Sequence, residues 1–306
     1  MSKTDKLISE LVSKRSDAMA EIEVKGGNGN GDPNADGAPR ECNGMGVITD
    51  KSIKRKIRDI CEDHNSPIFR DVAAKAGIDE KDFGYYEVLE SFSRGFNAVN
   101  PVEAKNELKK LYLKDPQEAC RKYIDVRLFG CTFLDEQGPK GEKFRFVRSG
   151  VVQMGCGYSV APIITETRTI TRKVNTEDEK SDGGGMAPGG MKFVDHALYV
   201  LRLSVNPAYA SRTCTTNRDI ELLKCILPYT FSATESTSRP AGSINVLHIW
   251  WADHDNAIGS FNANTLFGKL MPYKKSDPDR PSRSLDDYEI PEYVQNGIKV
   301  TDLMKF

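Results

Sequence analysis

The stretch from Lys25 to Arg58, KGGNGNGDPNADGAPRECNGMGVITDKSIKRKIR, constrains the fold more than any other. A short apolar strand through Ile22 and Val24 feeds it, and a helix patterned on Ile53, Ile57 and Ile60 leaves it. Between them lie Gly26, Gly27, Gly29, Gly31, Gly37, Gly44 and Gly46. So much glycine lets a backbone turn tightly and come close to a ligand. Thr49 or Asp50 can cap the helix. Its isoleucines, spaced four and three, predict one buried stripe, with Lys51, Lys54, Arg55, Lys56 and Arg58 on the remaining circumference. No acid interrupts the run from Lys51 to Arg58. A permissive loop beside such a cluster suits phosphates. The plain alternatives are a solvated loop and a solvated helix face.

Familiar nucleotide motifs do not fit. GNGNGDP is not GxGxxG and does not lead straight into a helix, and GxxxxGK[ST] is absent. No GxSxG or HExxH occurs. Asp32 and Asp36 are better read as turn formers than as an acid and base. His254, in ADHDN, lacks metal-ligand spacing, so no metal or other cofactor is expected. The net charge of −1 means that any nucleic acid must be held by local patches. The seven cysteines form no CxxC, which predicts reduced thiols in a cytoplasmic protein. No run approaches the roughly 18 apolar residues of a membrane span. The charged N-terminus lacks a signal-peptide core.

Elsewhere the chain alternates between two textures. Leu7, Ile8, Leu11 and Val12 predict a short helix over 4–18, and Ala18 to Val24 a strand. From Pro67 to Lys122 the text is short helical pieces broken at Pro67, Gly77, Pro101 and Pro116. Phe144, Phe146 and Val151-Val152 return to strand, interrupted at Gly155 and Gly157. Ile163 to Val174 sets Thr165, Thr167, Thr169 and Thr171 against Glu166, Arg168, Ile170 and Arg172. Neither face suits a core, so a projecting hairpin is expected over 162–195, with a glycine-rich tip and a return from Met191. His196 to Val205 reads as a strand, Asn217 as the cap of a helix to Leu227, and Ile244 to Trp251 as a strand. A helix follows at Ala263–Leu270.

With the insertions removed, the order is strand, helix, strand, strand, helix, strand. This is the α+β, ferredoxin-like βαββαβ plan on which RRM-type RNA binders are built. The expected parts are a leader (1–18) and a palm (19–62, 123–161 and 196–270). A helical insertion (63–122), a hairpin (162–195) and a Pro-rich tail (271–306) complete the chain. No RNP1-like aromatic pattern accompanies the plan, so binding through loops, basic helix and hairpin is expected rather than stacking on the sheet.

GNGDPNADGAPR, a glycine-containing spacer and GVITDKSIKRKIRD together resemble the N-terminal signature of the Cascade backbone subunits of type I CRISPR systems. The type I-C kind, within the Cas-seven family of the RAMP superfamily, matches in particular. The resemblance continues through YIDVRLFG (123–130), GVVQMGCGYSVAPIITETRTITR (150–172) and KFVDHALYVLRLSVNP (192–207). The leader before Glu21, the insertion around 62–122 and the tail depart from it.

The resemblance implies an RRM-like palm, helical fingers and a β-hairpin thumb. It implies a non-catalytic subunit that binds CRISPR guide RNA (crRNA), polymerises with copies of itself, meets other Cascade subunits and supports target DNA pairing through the guide. By position, Lys51, Lys54, Arg55 and Arg58 would hold guide phosphates. Asn28 and Asn30 would approach the RNA backbone, Arg168 and Arg172 would lie on the thumb, and Met154 would lie near the RNA groove. Type III relatives cut RNA with a loop aspartate, and Asp32 stands in a broadly similar place. A metal-dependent ribonuclease is therefore the alternative.

Overall fold

A computed structural model describes residues 10–90, 101–115, 117–135, 144–172, 187–294 and 297–305. The elements begin with β1 (Ser16–Gly27), β2 (Met45–Ile48), α1 (Asp50–Glu62), α2 (Pro67–Lys75), α3 (Pro101–Lys114), α4 (Glu118–Lys122) and α5 (Ile124–Phe129). Strands β3 (Gly130–Asp135), β4 (Phe144–Ser149), β5 (Val152–Met154), β6 (Gly157–Pro162), β7 (Thr165–Arg172) and β8 (Ala187–Val205) follow. The last are α6 (Asn217–Ile226), β9 (Ile244–Asp253), α7 (Ala263–Leu270) and β10 (Val300–Asp302).

Strand β1 is buried on both faces. Ala18, Ile22 and Val24 point one way, and Met19 and Glu21 the other. A strand of this kind needs neighbours on both edges and cover on both sides. Antiparallel β8 and β9 supply the edges. The main sheet runs β10-β9-β1-β8-β6-β2, each neighbouring pair antiparallel, and β5 and β7 also pair with β8. The protein is thus α+β with a mainly antiparallel sheet.

Helices cover one face. Ile53, Ile57 and Ile60 of α1, with Ile220, Leu223 and Ile226 of α6, pack against Ile22, Tyr199, Leu201 and Trp251. The expected isoleucine stripe of α1 is therefore buried. Thr49 caps this helix, its Oγ1 accepting from Ser52 N at 3.3 Å. For α6 the cap is Thr216 rather than Asn217. Thr216 and Asp219 exchange bonds in a capping box, an arrangement that needs a side-chain acceptor three residues on.

The C-terminal part covers the other face. Leu266, Phe267 and Leu270 seat on Met19, Val200 and Trp250, while Tyr288 packs on Leu198 and Ala161. The expected tail is thus partly a lid on the sheet, and its Val300–Asp302 extends the sheet beside β9. Trp250 donates its Nε1–H to buried Glu21 at 3.0 Å. Burial pushes the Glu21 carboxyl up to about 7.

Several expectations need correction. The helix proposed over 4–18 lies outside the described residues as far as residue 9. Beyond it, Leu11 bridges to Thr216, Val12 N bonds to Thr215 O, and strand β1 has begun by Ser16. Among the described residues of DEKDFGYYEVLESF only a short 3-10 turn, Glu80–Tyr85, forms, after which Glu87 bridges to Tyr123. Strands β3 and β4 make a separate two-stranded sheet rather than joining the main one. The returning arm of the projecting hairpin begins at Ala187, before Met191, and is continuous with the sheet strand ending at Val205. The tip, 173–186, lies outside the described residues.

Candidate nucleic-acid interface

The glycine loop is held shut by its own polar side chains. Asn28 is buried, and its Nδ2 donates to Gly37 O at 2.8 Å and to Lys192 O at 3.2 Å. Its Oδ1 accepts from Asn30 N at 3.1 Å. Asn30 Oδ1 accepts from both Thr49 N and Thr49 Oγ1. Ser52 Oγ donates to Gly29 O at 3.2 Å. The loop is therefore docked on the first turn of α1, where unpaired N–H groups and the helix dipole favour anions. Both asparagine side chains are occupied in building it; Gly27 to Gly29 are buried, and the loop reaches solvent from Asn30 to Gly37.

Gly27 shows why this loop needs glycine: a Cβ there would stand 2.7 Å from Ser243 Oγ. The 235–243 segment lies alongside, bonding to the loop through Lys25 N to Ser243 O and Asn28 N to Ser238 O, both 2.8 Å.

The cations of α1 divide into three kinds. Lys51 is exposed and forms no ion pair among the described residues. Lys54 and Arg55 are shared with acids on the same helix, Lys54 with Asp50 at 2.9 Å and Arg55 with Asp59 at 2.7 Å. Lys56 and Arg58 are buried, contrary to the expectation that every cation of this helix lies on its open side. Arg58 is held by Asp125 at 3.1 Å and Glu90 at 2.7 Å, with its guanidinium over the Phe129 ring. Asp125 also accepts from Leu89 N, Glu90 N and Val126 N. Two carboxylates thus already neutralise the guanidinium expected to meet a phosphate.

Lys51, Lys54 and Arg58 line one wall of a cleft of about 680 Å³. Phe129, its ring against the Lys54 and Arg58 cations, lines it with Arg148 and Gln153, and Asp50 and Glu90 add negative charge. Arg148 and Gln153 were not among the residues expected from sequence. The alternation of aromatics and arginines in FRFVR (144–148) was the available signal.

Arg168 lies on β7, half-exposed, with its guanidinium over the Phe193 ring. A Cβ built on Gly26 would stand 3.1 Å from it. Glu166 stands 3.6 Å away. The base of the hairpin therefore meets the start of the glycine loop. Arg172 pairs with Ala187 through the backbone, and its side chain lies outside the described residues. Met154 is half-buried against the main core, on β5 beside Leu203.

Asp32 shapes its turn. Its carboxylate accepts from Asn34 N at 3.0 Å and pairs with Arg40 at 3.3 Å. Asp36 closes the same turn in the left-handed region. His254 donates from Nε2 to Asp17 and accepts Ser260 N–H at Nδ1, which fixes a neutral tautomer between two structural partners. Among the described residues no group of three metal-binding side chains occurs, and no helix is long and apolar enough to cross a membrane.

Fold and site together define an antiparallel α+β protein with a glycine loop docked on the start of a cation-bearing helix. The family model described as CRISPR-associated protein Cas7 matches residues 14–292, and the chain belongs to that family. No curated protein matches it. A chain of a solved "CRISPR RNA-guided surveillance complex" is 16% identical, with 78% of this chain and 68% of that chain covered at a TM-score of 0.41. A chain of a "CRISPR RNA-guided surveillance complex, pre-nicking" is 13% identical, with 78% of each chain covered at a TM-score of 0.44.

Proposed function

We propose that the protein is a guide-RNA-binding backbone subunit of a type I interference (Cascade) complex. It polymerises along CRISPR RNA, meets other Cascade subunits and lets the guide pair with target DNA. Membership of the Cas7 family supports this reading. The observation that carries it is a glycine loop with a cation at each end. Arg168 of the hairpin stands over Gly26 at its start, and the loop docks on the first turn of α1, where Lys51 forms no ion pair among the described residues. Contacts of this kind read the phosphodiester backbone, so any spacer sequence is accepted.

The strand order β9-β1-β8-β6, with α1 after β1 and α6 after β8, supports a ferredoxin-like palm. Residues 63–122 serve as fingers and 162–195 as a thumb. Lys51 and Arg168 contact phosphates directly, Lys54 and Arg55 share themselves between their acids and the RNA, and Arg58 holds the cleft wall. Arg172 continues the thumb, Met154 backs the groove, and Asn28 and Asn30 shape the loop. The subunit is non-catalytic and works in the cytoplasm. Both oxygens of Asp32 have partners in the turn, which favours a structural role over the ribonuclease alternative.

Co-expression with a guide RNA tests the reading. The expected product is a polydisperse ribonucleoprotein that releases uncut RNA at high salt. A folded, monomeric protein without affinity for RNA refutes it. Cleavage of RNA on adding divalent metal, lost in Asp32→Ala, replaces it with the nuclease reading.

A further inference from the structure

Lys56 is the anomaly of the site. Its side chain is only 5% exposed. Its Nζ donates to Ser52 Oγ at 2.8 Å and reaches Gly29 O and Ser52 O at 3.5 Å, beneath the glycine loop. The Phe231 ring lies 5.3 Å below it. No carboxylate stands within 4.0 Å among the described residues. The charged groups that face it are Arg239, from the segment alongside the loop, and Asp59, on α1 itself. Arg239 is another cation, and Asp59 is already bound to Arg55. A buried charge without a counter-charge is costly, and a second cation nearby raises that cost.

The loop does not need this charge to stay in place. Ser52 Oγ already donates to Gly29 O, and Thr49 already holds Asn30. Neutral bonds suffice to dock it, so the ammonium is surplus to the architecture of the free protein. What it supplies is positive potential behind the buried stretch Gly27–Gly29, next to where the loop emerges at Asn30 and Gly31.

We propose that Lys56 is a positioning cation of the RNA site: it lies beneath Gly29 without an ion pair among the described residues and is neutralised when a phosphodiester settles where the loop emerges, at Asn30 and Gly31. This rests on the RNA-binding reading above and adds a coupling to it. A charge that burdens the free state and is relieved in the complex favours the complex by the same difference. Burial, with help from Arg239, lowers the Lys56 ammonium to about 8. RNA raises it again, so affinity falls as pH climbs through that value.

The test uses the full chain, fluorescein-labelled oligouridylate, and the variants Lys56→Met and Lys56→Arg. Methionine keeps the apolar contact with Phe231 and removes the charge. The expected result has opposite signs. RNA-free Lys56→Met unfolds at the same temperature as wild type or higher, yet binds oligouridylate about fivefold or more weakly at pH 7. Wild-type affinity drops between pH 7 and pH 9, and Lys56→Arg flattens that drop. If Lys56→Met unfolds earlier, or binds as wild type does, Lys56 is an ordinary structural residue and the proposal fails. A wild-type affinity level across this pH range also overturns it. A folded wild-type protein that binds no oligouridylate at pH 7 overturns the RNA-binding reading itself, a result separate from any behaviour of the variants.

Discussion

Arg58 offers the sharpest separation of scaffold from ligand contact. By sequence it is one of the phosphate-binding cations, whereas in the structure its guanidinium is sequestered by Asp125 and Glu90. Consider Arg58→Met, which keeps an unbranched apolar stem against Phe129 and deletes the charge. Breaking a buried ion pair from one side costs about 3–5 kcal/mol, because the remaining charge is stranded. Asp125 is 2% exposed, but three backbone N–H groups continue to serve it. That retained solvation places the expected loss at the lower end, about 3 kcal/mol. For a chain of 306 residues the unfolding midpoint should then fall by roughly 5 °C.

Urea unfolding of wild type, Arg58→Met, Asp125→Asn and the double variant measures the loss and the coupling between the two residues. The double variant should recover part of the single-variant loss, since no stranded charge remains. At a temperature where all are folded, Arg58→Met should bind oligouridylate within about twofold of wild type, as the guanidinium is not offered to the ligand. Wild-type stability combined with a tenfold loss of RNA affinity would refute the assignment of Arg58 to the scaffold.

Three further outcomes are expected. Lys51→Ala should leave the unfolding midpoint unchanged and reduce the slope of log affinity against log salt by about 0.7, the loss of one phosphate contact on a single strand. Glu21, raised to about 7 by burial, contributes stability that is fully present below the ordinary carboxyl value of about 4.5 and lost as pH rises through about 7. Thermal melts from pH 4 to pH 8 should therefore show a downward slope that Glu21→Gln abolishes. Gly27→Ala forces a Cβ against Ser243 Oγ and should destabilise by about 1–3 kcal/mol in urea unfolding, with part of the loss restored by Ser243→Gly.

The strand, loop and helix around residues 16–62 were legible because the signals are local. A short apolar run through Ile22 and Val24 marked β1, the Ile53, Ile57 and Ile60 spacing marked α1, and the pair Thr49-Asp50 marked its start, with Thr49 the cap observed. The strictly alternating, two-sided polar Thr165–Arg172 was likewise readable as one arm of a hairpin, and its pairing with β8 is observed. What escaped was chosen by partners distant in sequence. Nothing near Arg58 announces Asp125, and nothing near Lys56 announces Phe231 or Arg239. The covered sheet face was hidden for the same reason. Its lid is spread over Leu266, Phe267, Leu270 and Tyr288, each apolar but without a pattern that names its target. The lid also explains why no RNP1-like aromatics decorate that face: it is filled with protein, with Glu21 beneath.

The length of β8 has one more consequence. Its 19 residues form a single unbroken strand, roughly 60 Å when extended. One part, from Val194 to Val205, is paired with β1, and the rest runs out beside β7 beyond Gly27, where β1 ends. The hairpin and the sheet therefore share one pleat, with no joint between them. Parity is conserved along such a rod. Inserting a single residue between Val194 and Val205 would turn over the outer arm of β8 relative to the core, exchanging its two faces. An insertion of two would restore the faces and only lengthen the reach, by about 7 Å. The arm thus behaves as a ruler graduated in pairs of residues: an odd change between Val194 and Val205 keeps the faces only where a β-bulge takes up the extra residue.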